Sequence, residues 1–288
     1  MQTEHNDQVN GTNPENMVWI FGTGRSGSTW LMNMMAHMPR TSAWNEPMVG
    51  RLFGDFYQNA QVGQRNARGF ILGEPAREGW IPLIREFVLK SANYRFPQMG
   101  SEDYLVIKEP NSSLGAPLIS EALPESRMIL LIRDPRDVVA SVLDGAREGS
   151  WLYNRKRGRR GEESLADKRP NELVERRSRM YKRHIDSAKQ AFDSHEGPKV
   201  LVRYEDLRGS TLENMMRIYS TLEIPASKDA LTRSVEKNSW ENLPEARKGP
   251  GKKFRKATPG GWNEDLTPAQ VGIVEDITAP LLREFYPD

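Results

Sequence analysis

The chain has 288 residues, a formal net charge of +2, 37% hydrophobic residues and no cysteine. The absence of cysteine excludes disulfides, thiolate nucleophiles and thiolate metal sites, and the small net charge gives no reason to expect nucleic acid. No apolar run is long enough for a membrane span and the N-terminus is polar, so we expect a soluble, cytoplasmic protein without membrane contact.

The chain divides into a polar, turn-rich tail at residues 1–16 and one domain at residues 17–288. Apolar residues 18–21 predict a buried strand, and a glycine-rich turn at residues 22–29 is followed by helical apolar spacing. A strand, a glycine-rich turn and a helix together are typical of a phosphate site, because the backbone N–H groups can face an anion.

The turn resembles a P-loop but departs from it at one position. Gly22 and Gly27 occupy the two glycine positions, whereas Ser28 replaces the lysine that would contact the outer phosphates of ATP. The basic residue of the turn is Arg25. We therefore expect an anion site that is not built for ATP, and the alternative is a glycine-rich turn without a ligand.

Further apolar runs predict buried strands at residues 104–107, 128–132 and 200–204, and helical spacing predicts helices at residues 80–94, 114–123, 136–147 and 172–192. Strands that alternate with helices predict one α/β domain with a central parallel sheet flanked by helices. Ligands bind such sheets at the carboxyl ends of the strands, where Gly22, Lys108 and Arg133 fall.

The connections are predicted from composition and capping patterns. Residues 41–50 and 238–261 are predicted to be turns or loops, and residues 51–79 an irregular segment. Capping boxes at Ser210 and Thr267 predict the starts of two further helices.

Four segments, in chain order, resemble the motifs of sulfotransferases that use 3′-phosphoadenosine 5′-phosphosulfate (PAPS). The GRSGSTW sequence at residues 24–30 is similar to the phosphosulfate loop P-K-S-G-T-T-W, with Arg25 where lysine is usual. The RDPRDVVAS sequence at residues 133–141 resembles the 3′-phosphate motif R-N-P-x-D-x-x-x-S. The YEDL sequence at residues 204–207 and the FRKATPGGW sequence at residues 254–262 resemble two later family segments.

The resemblance implies PAPS as the donor cosubstrate and 3′-phosphoadenosine 5′-phosphate (PAP) as the product, with no metal. In the family's terms, the loop holds the 5′-phosphosulfate, Trp30 stacks on adenine, and basic residues bind the 3′-phosphate. Arg25 and Lys108 are the candidates for stabilising charge on the leaving oxygen. The nucleotide-binding residues implied by the resemblance are Gly24, Arg25, Ser26, Gly27, Ser28, Thr29, Trp30, Arg133, Ser141, Tyr204, Arg255 and Lys256.

The general base differs from that of the cytosolic sulfotransferases. Those enzymes carry a histidine two residues after the lysine that corresponds to Lys108, and this chain has Pro110 there. Other family branches use a glutamate soon after the loop helix, which corresponds to Glu46. A carboxylate within reach of the acceptor can act as a base. Glu46 is therefore the first candidate and Glu109 the second, and an ordinary surface role for Glu46 is the alternative.

The predicted function is sulfuryl transfer to a hydroxyl or amine of a small-molecule acceptor, with residues 51–95 and 151–177 contributing acceptor specificity. The alternatives are a P-loop-type small-molecule kinase, which Ser28 disfavours, and a catalytically inactive nucleotide-binding protein. The basic run at residues 155–160 is either a solvated loop or a flap that attracts an anion. Nucleic-acid binding through it is not expected, and a homodimer is left open.

Overall fold

A five-stranded, entirely parallel sheet lies at the centre of the computed structural model, which describes residues 11–157 and 164–287, with the backbone alone for residues 155–157. The strand order is β2-β3-β1-β4-β5. The strands are β1 Met17–Gly22, β2 Thr41–Asn45, β3 Tyr104–Lys108, β4 Arg127–Ile132 and β5 Lys199–Arg203. The four strands predicted from apolar runs are confirmed, and so is the α/β fold class.

Helices cover the sheet and form its connections. In chain order, the helices of the described residues are α1 Ser28–Ala36, α2 Phe56–Asn59, α3 Val62–Arg65, α4 Arg77–Arg95, α5 Ala116–Ala122, α6 Pro135–Ala146, α7 Trp151–Arg157, α8 Leu165–Lys168, α9 Pro170–Ser194, α10 Tyr204–Gly209, α11 Thr211–Thr221, α12 Lys228–Lys237, α13 Trp262–Asp265 and α14 Pro268–Phe285. Within this part of the chain, no helix combines the length and the apolar character needed to cross a bilayer.

Both faces of the sheet are buried, which explains why the central strands are apolar without alternation. In β1, Trp19 and Phe21 face a core that also contains residues of α4, α5, α9 and α14. Val18 and Ile20 face a second core with residues of α1, α11 and α12. The strands are therefore held in place from both sides. Because all five strands are parallel, the loops at their carboxyl ends lie along the same edge of the sheet.

Strand β2 corrects the sequence prediction, which has residues 41–50 as a turn. Residues Thr41–Asn45 pair in parallel with β3, in a register that joins Thr41 to Tyr104 and Asn45 to Lys108. Because β2 is an edge strand, its side chains are only partly buried and its sequence is not an apolar run. This is the reason why the apolar pattern does not predict it.

Of the two predicted capping boxes, one is confirmed and one is wrong, and most of the predicted irregular segment is found. Residues 51–76 contain only short helical segments, as expected for an irregular connection, and α4 begins at Arg77, three residues before the predicted start at Trp80. The capping box at Thr267 is confirmed, because Thr267 Oγ1 accepts a hydrogen bond from the Gln270 backbone and Gln270 Oε1 accepts one from the Thr267 backbone. The predicted box at Ser210 is wrong: α11 begins there, but the Ser210 side chain forms no capping hydrogen bond.

Two predictions fall partly outside the described residues. Residues 1–10 of the predicted tail lie outside them, while Pro14–Asn16 form a turn of 3₁₀ helix immediately before β1. In the basic run, residues 155–157 belong to α7, whereas residues 158–160 lie outside the described part of the chain.

Candidate functional site

The loop between β1 and α1 is closely packed, and two of its glycines have no space for a side chain. Gly27 has a φ of +87°, and a Cβ there would lie 2.5 Å from Tyr204 Cδ2. A Cβ on Gly24 would lie 2.8 Å from Asn111 Oδ1. Ser26 is fully buried, and its hydroxyl donates to the Thr23 carbonyl at 2.8 Å. The loop is thereby fixed close to the N-terminus of α1, where N–H groups are free to bind an anion.

Arg25 extends from this loop toward Ser141, the last residue of the 133–141 segment, and toward Lys253, directly before the 254–262 segment. Its Nε donates to Ser141 Oγ at 2.9 Å, and its Nη2 donates to the Lys253 carbonyl at 2.7 Å. The guanidinium also lies 5.1 Å from the ring centroid of Trp151. Burial, followed by the positive charges of Arg133 and Arg255, lowers the pKa of Arg25 to about 10. The site therefore has a local excess of positive charge.

Arg133 follows β4 and is buried beside the same loop. Its Nη1 donates to the Arg25 carbonyl at 3.1 Å, and its guanidinium lies 4.3 Å from the centroid of the Tyr204 ring. Its Nη2 is 3.4 Å from Asp137 Oδ2, while its Nε has no hydrogen-bond partner among the described residues. A buried guanidinium with a free donor favours an additional anionic partner.

The C-terminal basic segment, residues 254–262, reaches this place because Asp137 binds its backbone. Asp137 is fully buried and accepts hydrogen bonds from the backbone N–H groups of Gly260 at 2.9 Å and Trp262 at 3.0 Å. Arg255 forms an ion pair with Asp265, whose other carboxylate oxygen is 3.1 Å from Lys256 Nζ. Asp137, in the first turn of α6, thus binds a segment that lies about 120 residues further along the chain.

These elements enclose a cavity of about 190 Å³ at the carboxyl end of the sheet, beyond the adjacent strands β1 and β4. Trp30 forms part of its wall: its Nε1 donates to the Asn238 carbonyl at 2.8 Å, and its ring is edge-on to Tyr204. Of the predicted nucleotide-binding residues, the cavity is lined by Arg25, Gly27, Ser28, Thr29, Trp30, Arg133, Ser141, Tyr204, Arg255 and Lys256. The combination of basic and aromatic walls suits a phosphorylated nucleotide.

A second group of polar residues lies beside the cavity at Thr29. Lys108 is buried, and its Nζ donates to Glu46 Oε1 at 2.8 Å and to Thr29 Oγ1 at 3.2 Å. Asn111 Nδ2 also donates to Glu46 Oε1, at 3.0 Å. Glu46 has a left-handed φ of +52°, and its backbone N–H donates to the Lys108 carbonyl. The ammonium and the carboxylate are therefore fixed next to the loop, and Glu46 remains accessible.

The family model for the sulfotransferase family matches residues 18–228. This chain belongs to the sulfotransferase family. Comparison with curated proteins finds no significant match.

Solved sulfotransferases share the fold at low sequence identity. Sulfotransferase STF9 from Mycobacterium avium is 14% identical with a TM-score of 0.59, over 95% of this chain and 77% of that one. Mouse sulfotransferase SULT7A1, solved in complex with PAP, is 12% identical with a TM-score of 0.55, over 93% and 85%. The sulfotransferase domain from the curacin biosynthetic pathway is 15% identical with a TM-score of 0.53, over 92% and 96%.

Five of the predicted site residues of this sulfotransferase are not part of the cavity wall: Glu46 and Lys108, which lie beside it at Thr29, and Gly24, Ser26 and Glu109. Gly24 and Ser26 shape the loop from within. Glu109 is completely buried, and its Oε1 accepts a hydrogen bond from the Val49 backbone at 2.9 Å. Burial raises the pKa of Glu109 to about 7. This carboxylate supports the segment that carries Glu46 and has no exposed surface for an acceptor.

The site of this sulfotransferase also contains residues that the sequence does not predict. The additional residues along the cavity are Asn33, Arg208, Lys237, Asn238, Trp240, Leu243, Lys253, Phe254 and Ala257. Most come from the segment after α12, where glycine, proline and basic residues predict only a loop. The one available signal is the basic motif itself, because Phe254 and Ala257 belong to residues 254–262 and Lys253 directly precedes them.

Asp134, which could correspond to the magnesium-binding aspartate of a P-loop enzyme, is engaged by another residue. Its carboxylate accepts two parallel hydrogen bonds from Arg136, Nε to Oδ1 at 3.0 Å and Nη2 to Oδ2 at 2.8 Å. Arg136 also contacts Glu275 and lies over the ring of Trp262. Within residues 11–157 and 164–287, no three His, Asp or Glu side chains are grouped in a way that could hold a metal.

Proposed function

We propose that this chain is a sulfotransferase that moves the sulfuryl group of PAPS directly to a hydroxyl or amine of a small molecule. The observation that carries the proposal is the meeting of three arginines, Arg25, Arg133 and Arg255, in one cavity beside a glycine loop and a helix N-terminus. Such a concentration of positive charge favours a ligand with several anionic groups.

The arrangement supports one orientation of the donor. The 5′-phosphosulfate belongs at the loop, next to Ser28 and Thr29 at the start of α1, because backbone N–H groups are available there. The 3′-phosphate belongs near Arg133 and Ser141, with Arg255 from the C-terminal segment. The adenine belongs against Trp30, whose ring forms an apolar part of the wall. The solved neighbour determined with PAP supports this choice of ligand.

The transfer needs an acceptor oxygen or nitrogen in line with the sulfur and the leaving phosphate oxygen. Lys108 and Glu46 lie next to Thr29, at the loop end of the cavity. Glu46 accepts the proton of the acceptor, and Lys108 stabilises negative charge on the transferred group. Glu46 is preferred to Glu109 as the base because Glu109 is fully buried.

A P-loop kinase is the less favoured function. Ser28 stands where such an enzyme has lysine, and the Asp134 carboxylate is neutralised by Arg136. In a P-loop kinase, a lysine at the position of Ser28 would bind the phosphates of ATP, and a free aspartate at the position of Asp134 would bind its magnesium. The proposal also includes a small-molecule acceptor, a cytoplasmic location and a homodimer. It includes no nucleic-acid partner and no membrane partner.

The first experiment is a thermal-shift titration with PAP and, separately, with ATP in the presence and absence of magnesium. A ligand that binds only the folded state raises its unfolding temperature as saturation increases. We expect stabilisation by PAP, independent of magnesium and larger than that by ATP. Stabilisation by magnesium-ATP alone would identify a kinase instead.

The second experiment separates an active enzyme from an inactive nucleotide-binding protein. Sulfur-labelled PAPS is incubated with the protein and a panel of phenols, alcohols, amines and sugars, and labelled products are separated from free sulfate. Transfer to any of these acceptors supports the proposal. Tight binding of PAP without transfer to any of them favours the inactive protein.

A further inference from the structure

Glu109 is a buried carboxyl group that takes no part in the proposed transfer. It directly follows β3, and its backbone N–H donates to the Ile20 carbonyl of β1 at 3.0 Å. Its Oε1 accepts a hydrogen bond from the Val49 N–H at 2.9 Å. Glu109 therefore connects the strand that leads into the glycine-rich loop with the segment that follows β2.

The segment bound by Glu109 has an unfavourable backbone conformation. Glu46 and Met48 have left-handed φ values of +52° and +67°, which residues with a Cβ seldom adopt. Such conformations persist only where surrounding contacts impose them. Before Met48, the Glu46 N–H donates to the Lys108 carbonyl at 2.9 Å, and after it the Val49 N–H donates to Glu109. Two consecutive residues at the end of β3 thus hold both sides of this turn.

The Val49 N–H has little prospect of another partner if Glu109 is lost. Val49 is only 3% exposed, and a buried N–H without an acceptor is costly, so the backbone is expected to move instead. Movement on the C-terminal side is restricted, because Gly50 is packed so tightly that a Cβ there would lie 2.3 Å from the Ser112 carbonyl oxygen. The displacement is therefore expected to fall on the side that carries Glu46.

We propose that Glu109 is a positioning residue, which holds the Glu46 carboxylate in place through its hydrogen bond to Val49. The inference rests on the proposed function, in which Glu46 takes the proton of the acceptor. Glu46 Oε1 is 2.8 Å from the Lys108 ammonium, which is itself 3.2 Å from Thr29 Oγ1. A displacement of about 1 Å in a reacting arrangement can lower the rate by about 100-fold.

Two replacements separate holding the turn from accepting a proton. Glu109→Gln keeps an oxygen that can bind the Val49 N–H but cannot act as a base, whereas Glu109→Leu has no acceptor at all. Burial raises the pKa of Glu109 to about 7, so glutamine resembles the neutral acid present below that pH. We expect kcat to stay within about threefold of the wild type in Glu109→Gln and to fall about 50-fold in Glu109→Leu. The affinity for PAP should change by less than about twofold in both variants, because Glu109 does not line the cavity.

The decisive measurement is kcat of Glu109→Leu in the background of Glu46→Gln. A residue that acts only through Glu46 has no further effect once the base is gone, so the double variant should lie within about twofold of Glu46→Gln alone. Rates are measured with labelled PAPS and the panel of phenols, alcohols, amines and sugars. Release of labelled sulfate, with water as the acceptor, is followed in the same samples.

Asp103→Leu is the matched control for losing a carboxylate that binds a backbone N–H. Asp103 directly precedes β3, at the opposite end from Glu109, and its Oδ2 accepts a hydrogen bond from the Gly100 N–H at 2.8 Å. We expect both leucine variants to unfold at lower temperature, and only Glu109→Leu to lose kcat. Should Glu109→Leu not fold, Glu109→Asp replaces it, because its carboxylate is one carbon short of Val49.

The outcomes separate the inference from the proposed function. Wild-type protein that transfers label from PAPS neither to the panel nor to water would overturn both. With an active wild type, four results would each overturn the inference alone. These are kcat of Glu109→Leu, or of Glu109→Asp in its place, equal to that of Asp103→Leu, an equal loss in Glu109→Gln, an unchanged rate in Glu46→Gln, or a double variant in which the two losses multiply.

Discussion

Arg133 and Asp137 lie one helical turn apart at the junction of β4 and α6, and their buried side chains approach to 3.4 Å between Nη2 and Oδ2. Asp137 uses the same carboxylate to bind the backbone of Gly260 and Trp262. One carboxylate therefore connects the arginine after β4 with the C-terminal basic segment. The two halves of the proposed 3′-phosphate site are positioned by a single buried group.

Replacing Arg133 with alanine should weaken PAP binding by about 30-fold, on the order of 2 kcal/mol, because a charge-assisted contact is lost. Asp137 keeps its two backbone donors in this variant, so the fold is expected to persist. Calorimetric titration with PAP measures the effect. Arg179→Ala, on the exposed side of α9, is the matched control. Unchanged affinity for PAP would remove Arg133 from the donor site.

Glu46→Gln should lower turnover by about 100-fold and leave the affinity for PAP nearly unchanged, because glutamine retains the size of the side chain but cannot accept a proton. Turnover is measured with labelled PAPS and whichever acceptor the panel identifies. Glu86→Gln, an exposed change on α4, controls for general effects of losing a carboxylate. If turnover survives in Glu46→Gln, Glu109 or a route in which the substrate provides the base becomes the better account.

Glu109 should make the protein less stable as the pH rises. Burial raises its pKa to about 7 in the folded state, whereas an unfolded glutamate titrates near 4.3. Between these two values the folded state binds more protons, so the free energy of unfolding falls with increasing pH, by about 4 kcal/mol in total. Below the lower value, Glu109 contributes no pH dependence.

Glu109→Gln should remove this dependence, since its amide oxygen can still accept the hydrogen bond from Val49. Urea unfolding of both proteins at about pH 5 and about pH 8 measures the difference. The variant should gain stability relative to the wild type between these two conditions. Parallel pH profiles would show that Glu109 is ionised in the folded protein.

Gly27→Ala should destabilise the protein by about 1–3 kcal/mol and weaken PAP binding, because a left-handed φ and a close contact with Tyr204 coincide there. Displacing the Tyr204 ring also disturbs the face on which Arg133 lies. Gly79→Ala is the matched control: Gly79 lies in α4 with open space around its Cα, so alanine should stabilise by about 0.5–1 kcal/mol. Thermal unfolding with and without PAP tests both variants, and equal behaviour would contradict the close-packed loop.

The proposed donor side of the site follows from the sequence more readily than the proposed acceptor side. Residues 24–30 and 133–141 are contiguous segments after buried strands, and apolar runs predict those strands well. The pairing of Glu46 with Lys108 depends instead on β2, which is a partly exposed edge strand with no apolar run. Its register joins Asn45 to Lys108, and only this register brings Glu46 next to the lysine.

The contribution of Asp137 could not be predicted for a different reason. Its sequence position indicates a residue in the first turn of a helix, and an ion pair with Arg133 is apparent from the spacing. Its hydrogen bonds to Gly260 and Trp262 cross more than 120 residues of chain and involve backbone atoms. Backbone partners leave no trace in side-chain composition, so this link becomes visible only in three dimensions.

The edge position of β2 has a consequence for how the chain can change. Glu46 directly follows the outermost strand β2, whereas the glycine-rich loop and Arg133 follow the two inner strands β1 and β4. An edge strand has one neighbour, so its loop can be lengthened or replaced without repacking the inner layers. Under the proposed function, acceptor chemistry is therefore free to diversify, while nucleotide recognition stays tied to the buried interior of the sheet.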